Sequence, residues 1–269
     1  MSGARVEFAE LSYTDAQALL EDERATVLLW PIGSTEPHGP HSPLSTDPII
    51  SAGMCRRAAQ RLADDPELKA LVLPAFSYGV TRYTARFAGA IHIAEQTLQA
   101  VLTDVLGSLI GQGFRHNVVV NNHFEPEHVQ TVHAAIETVF DRTGVLTGYL
   151  DLTRRHRARA LTEEFREGGS HAGQYETSLV LAERPELIDR EALASLPDVP
   201  VKLAEALAAG HKDFTEIGLE RAYNGSPARA SAAEGERIFE VLTAMLIDQM
   251  RALVRGTGGR DEAGLYGRI

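Results

Sequence analysis

An α/β domain with a mainly parallel sheet covered by helices is the fold class this sequence predicts, on three observations. Short apolar runs alternate with longer amphipathic stretches. The innermost run is short and β-branched, as in a buried central strand. Residues able to do chemistry cluster directly after the runs, where open parallel sheets place their ligands.

Taken in order, ATVLLWPI (Ala25–Ile32) reads as the first strand and Pro48–Leu62 as a helix. KALVLPAF (Lys69–Phe76) reads as the second strand. Glu95–Gln112 is the next helix: Leu98, Val101, Leu102, Val105, Leu106 and Leu109 recur near a 3.6 period, and Gly111 and Gly113 stop it. HNVVVNN (His116–Asn122) is a strand around Val118–Val120, followed by a helix over Pro126–Asp141, and GVLTGYLDL (Gly144–Leu152) is a further strand. His171–Ile188 turns helical from about Gln174 until Pro185. GSPARASAAEG (Gly225–Gly235) is a loop leading into the last helix, Ala232–Val254. With no repeat and no linker, residues 1–254 form one domain. The glycine-rich 255–269 is expected to be a flexible tail, or an arm ordered by a neighbouring subunit.

Composition narrows the function. The 269 residues are 44% hydrophobic and 23% charged, ordinary for a globular protein with a full core. A formal charge of −11 and the lack of a Lys/Arg stripe argue against nucleic acid as a partner. Cys55 is the single cysteine, so neither an intramolecular disulfide nor a thiolate cluster can form. No hydrophobic leader opens the chain and no apolar stretch approaches roughly 18 residues, so a cytoplasmic protein without membrane partners is expected.

GSTEPHGPHSPLSTD (Gly33–Asp47) follows the first strand and offers Glu36, His38 and Asp47. NNHFEPEH (Asn121–His128) follows the VVV strand and offers His123 and Glu125 just before Pro126, which opens a helix. Two imidazoles and three carboxylates exceed what one zinc takes and match two divalent ions sharing a bridging carboxylate; the donors suit Zn or Mn. Each residue also has a plainer reading: Asp47 as a helix N-cap, Glu125 as an acid at a helix N-terminus. A third stretch, GGSHAGQYETS (Gly168–Ser178), adds His171, able to pass a proton to a departing nitrogen, and Glu176, able to hold its tautomer or meet substrate. Cys55 reads as a buried structural thiol, and no GxSxG, HExxH, GxGxxG or GxxxxGK[ST] occurs.

Together WPIGSTEPHGPHSPLSTD, VVVNNHFEPEH, GSHAGQYETSLVLAERP and the weaker SPARASAAEGER resemble the creatininase family of metal-dependent amidohydrolases, from about Val27 to Glu236. The resemblance implies a three-layer α/β/α domain, two divalent metals (Zn2+ and/or Mn2+) per subunit, and a homo-oligomer, commonly a hexamer. By motif position, Glu36 and His123 would hold one metal, His38 and Glu125 the other, and Asp47 would bridge. His171 would protonate the departing nitrogen, Glu176 would support it or the substrate, and His41 would stand behind the ligands. The implied substrate is a small-molecule amide: a cyclic amide such as creatinine, alternatively a formamide or a peptide. A metal-binding relative without turnover is the non-enzyme alternative.

The chain departs from creatininase proper. Its one tryptophan, Trp30, lies in the first strand, and FREGGS before the HAG motif offers no indole. TRYTARFAGA replaces the usual acid–histidine and FPGT-like stretch, so Arg82, Tyr83, Arg86 and Phe87 are candidates to line a different pocket. An arginine there would suit a carboxylate or phosphate on the substrate.

Overall fold

The computed structural model describes residues 5–168 and 171–257. Four parallel strands form its sheet: β1 (Ala25–Ile32), β2 (Leu68–Val72), β3 (His116–Asn121) and β4 (Gly148–Tyr149), in the order β2-β1-β3-β4. Helices α1 (Tyr13–Leu20), α2 (Thr46–Arg61), α3 (Glu95–Gly111), α4 (Pro126–Thr143), α5 (Arg155–Ala158), α6 (Glu163–Arg166), α7 (Gln174–Glu183), α8 (Arg190–Ala194), α9 (Leu203–Ala208) and α10 (Ala232–Val254) surround it.

The strands alternate between two cores. Val27 and Leu29 of β1, Ala70 and Val72 of β2, and Val118 and Val120 of β3 face one core, with residues of α2, α7 and α10. Leu28, Trp30 and Ile32, Leu71 and Val119 face the other, with α3 and α4. Strands buried on both faces need unbroken apolar runs, which is why ATVLLWPI is readable as β1. The three-layer α/β/α arrangement is the expected one.

Two strands are shorter than the runs that announce them. β2 ends at Val72, two residues before Pro74, which cannot donate to a ladder; Phe76 rejoins β1 by donating its N–H to the Pro31 carbonyl (3.0 Å). That carbonyl marks the side on which Pro31 lacks an N–H, a side β2 has already left. β4 keeps only Gly148–Tyr149, paired with Val118 and Val119 at the sheet edge. The helices match expectation within two residues, and Ala232–Val254 matches at both ends. Cys55 is fully buried in α2 and burial pushes its thiol well up, in keeping with an inert core residue. No described helix is long and apolar enough to cross a membrane. Most of the proposed tail, from residue 258, lies outside the described residues.

Helices α7 and α10 cross at a glycine. A Cβ on Gly235 would stand 1.9 Å from the Ser178 carbonyl oxygen and 2.9 Å from Ala182 Cβ. Backbone cannot give way as a side-chain tip can, so Gly235→Ala is expected to destabilise the fold by about 3 kcal/mol. The Tm should fall by roughly 10 °C in a thermal melt.

Candidate metal centre

Three loops at the carboxyl ends of the strands meet where an open parallel sheet binds ligands. The β1–α2 loop brings Glu36, His38 and Asp47, the β3–α4 turn His123 and Glu125, and the start of α7 His171 and Glu176. All except His171 are buried, and His171 is nearly so. Helix α2 begins two residues before Pro48, capped at Ser45, so Asp47 sits in its first turn with its carboxylate turned inward. There Asp47 Oδ2 accepts the Ser34 N–H (3.1 Å). The plainer reading of Asp47 as an N-cap therefore fails; Glu125 does stand at the N-terminus of α4, in the N-cap position, though its side chain makes no cap bond.

Asp47 lies between two imidazoles. Its Oδ1 is 3.0 Å from His38 Nε2 and its Oδ2 is 3.2 Å from His123 Nδ1. His38 Nε2 is also 3.5 Å from Glu176 Oε2, and His123 Nδ1 is 3.0 Å from Glu36 Oε1. Two close groups of donor atoms share Asp47: Glu36, Asp47 and His123, and His38, Asp47 and Glu176; a third brings Glu36 and His38 together with His171. Glu176, not Glu125, thus accompanies His38, placed there by the first turn of α7. Glu125 belongs to none of these groups; it accepts main-chain N–H groups of Arg82 (2.8 and 3.0 Å) and Tyr83 (3.4 Å) at the edge of the cleft.

The hydrogen bonds behind the imidazoles settle whether these groups fit cations. His38 Nδ1 donates to the Glu36 carbonyl (3.0 Å) and His123 Nε2 donates to the Val80 carbonyl (2.7 Å). A carbonyl only accepts, so each ring carries its proton on the far side and aims a lone pair at carboxylate oxygens. His38 Nε2 is buried with no hydrogen-bond partner. Lone pairs facing carboxylates repel unless a cation or a proton stands between them. Without a metal it is a proton: burial alone would lower the His38 pKa, but Asp47, Glu176 and Glu36 together raise it to about 10. Burial likewise pushes Glu125 and Glu176 up to about 8. Glu36, Asp47 and Glu176, buried together with no Lys or Arg ion pair among the described residues, call for cations, and histidines tied back to carbonyls are the usual support of metal ligands.

Further residues hold this frame. Thr81 and Thr84 donate their hydroxyls to Glu36 Oε2, the latter at 2.9 Å. Ala172 takes a left-handed conformation (φ 51°) that aims its N–H at Glu176 Oε2 (2.7 Å), the kind of local strain that gathers at functional sites. Gly173 has no side chain to cap α7, so Glu164 does so from α6, accepting N–H groups of Gln174 (3.0 Å) and Tyr175 (2.8 Å). His41 stands outside both donor groups and meets Thr177 Oγ1 (2.9 Å) beside Glu176, as its supporting role implies. His171 donates from Nε2 to the Pro37 carbonyl (3.0 Å), its ring 4.5 Å from that of His38. Burial and the charge on His38 push its pKa down to about 4, leaving it neutral.

His128, unassigned from sequence, shares Val80 with His123. It accepts the Val80 N–H at Nδ1 (3.2 Å), while the Val80 carbonyl fixes the His123 tautomer; the two rings meet edge to face at 4.7 Å. His128→Leu is expected to weaken metal binding roughly tenfold in chelator competition. His128→Asn, which keeps an acceptor near Nδ1, should restore most of it.

Of the four pocket candidates, only Tyr83 lines the cleft. Arg82 turns its guanidinium out to Glu95 (2.9 Å), and Arg86 is exposed and pairs with Asp213 (2.8 Å). Phe87 packs in a small apolar cluster with Tyr83 and Phe214. Charged carboxylates at the cleft floor draw no arginine inward here because each already has an acidic partner outside. The cleft is lined by acids and histidines on the metal side and by Tyr83, Phe124, Leu203 and Phe214 elsewhere. Phe214 and the two threonines carry no sequence signal of their own: TRYT draws the eye to its arginine and tyrosine, and Phe214 is far from every motif.

Residues 9–250 match the family model Creatininase, described as creatinine amidohydrolase. The mycofactocin precursor peptide peptidase of Mycobacterium tuberculosis is 32% identical over 233 residues, covering 84% of this chain and 83% of that one. The creatinine amidohydrolase of Pseudomonas putida is 27% identical over 250 residues, covering 84% and 88%. A solved manganese creatininase superposes with a TM-score of 0.71 at 23% identity, covering 97% of this chain and 99% of that one; a Zn-Zn form of a mutant creatininase gives the same TM-score at 22% identity.

Proposed function

Since the chain belongs to the creatininase family of amidohydrolases, we propose that it hydrolyses the C–N bond of an uncharged amide at a pair of divalent metal ions. The observation that carries this reading is Asp47 between two imidazoles whose lone pairs address its two oxygens. Glu36, Asp47 and His123 would hold one ion, and His38, Asp47 and Glu176 the other. Two such ions, Zn2+ or Mn2+, supply Lewis acidity that polarises an amide carbonyl and acidifies a water.

The chain's own groups do the rest. Glu125, at the cleft edge and outside both donor groups, accepts the proton that the attacking water gives up. His171, held by Pro37 at Nε2, relays that proton through Nδ1 to the departing nitrogen as the C–N bond breaks. Among the described residues no lysine or arginine side chain lines the cleft, which favours a neutral substrate over a carboxylate or phosphate.

Two substrate types follow from the relatives: a peptide amide and the cyclic amide of creatinine. The apolar lining and the absence of an indole favour the peptide type. Zn- or Mn-loaded protein should be assayed with creatinine, hydantoins, lactams, formamides and short acylated peptides. Release of an amine or ammonia from an uncharged amide, abolished by chelation, is expected; two bound metals with no hydrolysis of any of these would contradict the proposal.

A further inference from the structure

The segment from α9 to Leu219 forms a cap over the cleft with an apolar cluster separate from the two main cores. Phe214 and Leu219 pack there with Tyr83, flanked by Phe87, Leu203 and Ile217. The Phe214 N–H donates to the Tyr83 carbonyl (3.0 Å), and neighbouring Asp213 pairs with Arg86. Side chain and backbone thus fix Phe214 onto the loop that supplies Arg82 and Tyr83 N–H groups to Glu125. The Phe214 ring lies 6.2 Å from Tyr83 and meets His171 edge-on at 4.8 Å. One aromatic residue therefore touches both the proposed proton relay and the apolar lining.

We infer that Phe214 and Tyr83 are the specificity-determining wall, and that the substrate carries an uncharged planar or aromatic group next to its scissile amide. This rests on the two-metal reading above. A ring placed against these two side chains leaves water without stranding a charge, whereas a carboxylate there would lose its hydration against apolar rings with no lysine or arginine beside it among the described residues. Phe214 meets the His171 ring directly, so the group that fills the wall lies beside the residue proposed to protonate the departing nitrogen.

The test is calorimetric binding of hydroxamates, which chelate metal through one end and carry a chosen group at the other. Benzohydroxamate is expected to bind the Zn-loaded protein roughly tenfold more tightly than acetohydroxamate, and 4-carboxybenzohydroxamate more weakly than benzohydroxamate. Phe214→Leu keeps apolar volume and should remove most of the aromatic preference, read as the ratio of the benzohydroxamate to the acetohydroxamate affinity, with a melting curve and elemental analysis checking folding and metal content. Equal affinity for the phenyl and methyl compounds, tighter binding of the carboxylated ring, or an unchanged preference in Phe214→Leu would overturn the wall. Failure of every hydroxamate to bind would instead strike at the metal reading.

Discussion

Asp47→Ala is expected to empty both metal positions at once and to lower turnover at least about a thousandfold. Among the described residues Asp47 is the one side chain common to the groups Glu36–Asp47–His123 and His38–Asp47–Glu176, so its loss breaks both. The substitution also leaves the buried Ser34 N–H without its acceptor. Elemental analysis beside a melting curve separates the two effects. A folded variant that retained two ions would show that the carboxylate is not the bridge.

Glu125→Gln should behave in the opposite way: two ions retained, turnover reduced by about 10²–10⁴-fold. The amide keeps size and shape and its carbonyl oxygen can still accept the Arg82 N–H, but it cannot take a proton. Loss of one ion in this variant would return Glu125 to the ligands, as its motif position implies. Asp47 and Glu125 thus distinguish holding metal from moving a proton, two jobs that carboxylates of one loop cluster can share only by their surroundings.

Much of this was legible in the sequence because parallel strands buried on both faces must be apolar, and because ligands then follow at strand ends. ATVLLWPI and HNVVVNN gave β1 and β3 nearly to the residue, and the five donors from the first two loops all lie at the site. Which carboxylate stands beside His38 was not legible. Glu176 and Glu125 are both carboxylates in motifs, and which one reaches His38 depends on how α7 docks, with Glu164 and Ala172 setting that approach. The pocket was misjudged for a related reason: Arg82 and Arg86 are spoken for by Glu95 and Asp213, partners at separations no local pattern reveals. His128 escaped because its role passes through a backbone group of Val80, not through another motif residue.

Metal content per chain in wild type, Glu36→Gln and Glu176→Gln, each loaded with Zn2+ and dialysed against metal-free buffer, tests the paired centre most directly. Two ions are expected in the wild type and one in each variant, since each change disables a different donor group while Asp47 remains. One ion in the wild type, or two in Glu176→Gln, would contradict two cations sharing Asp47.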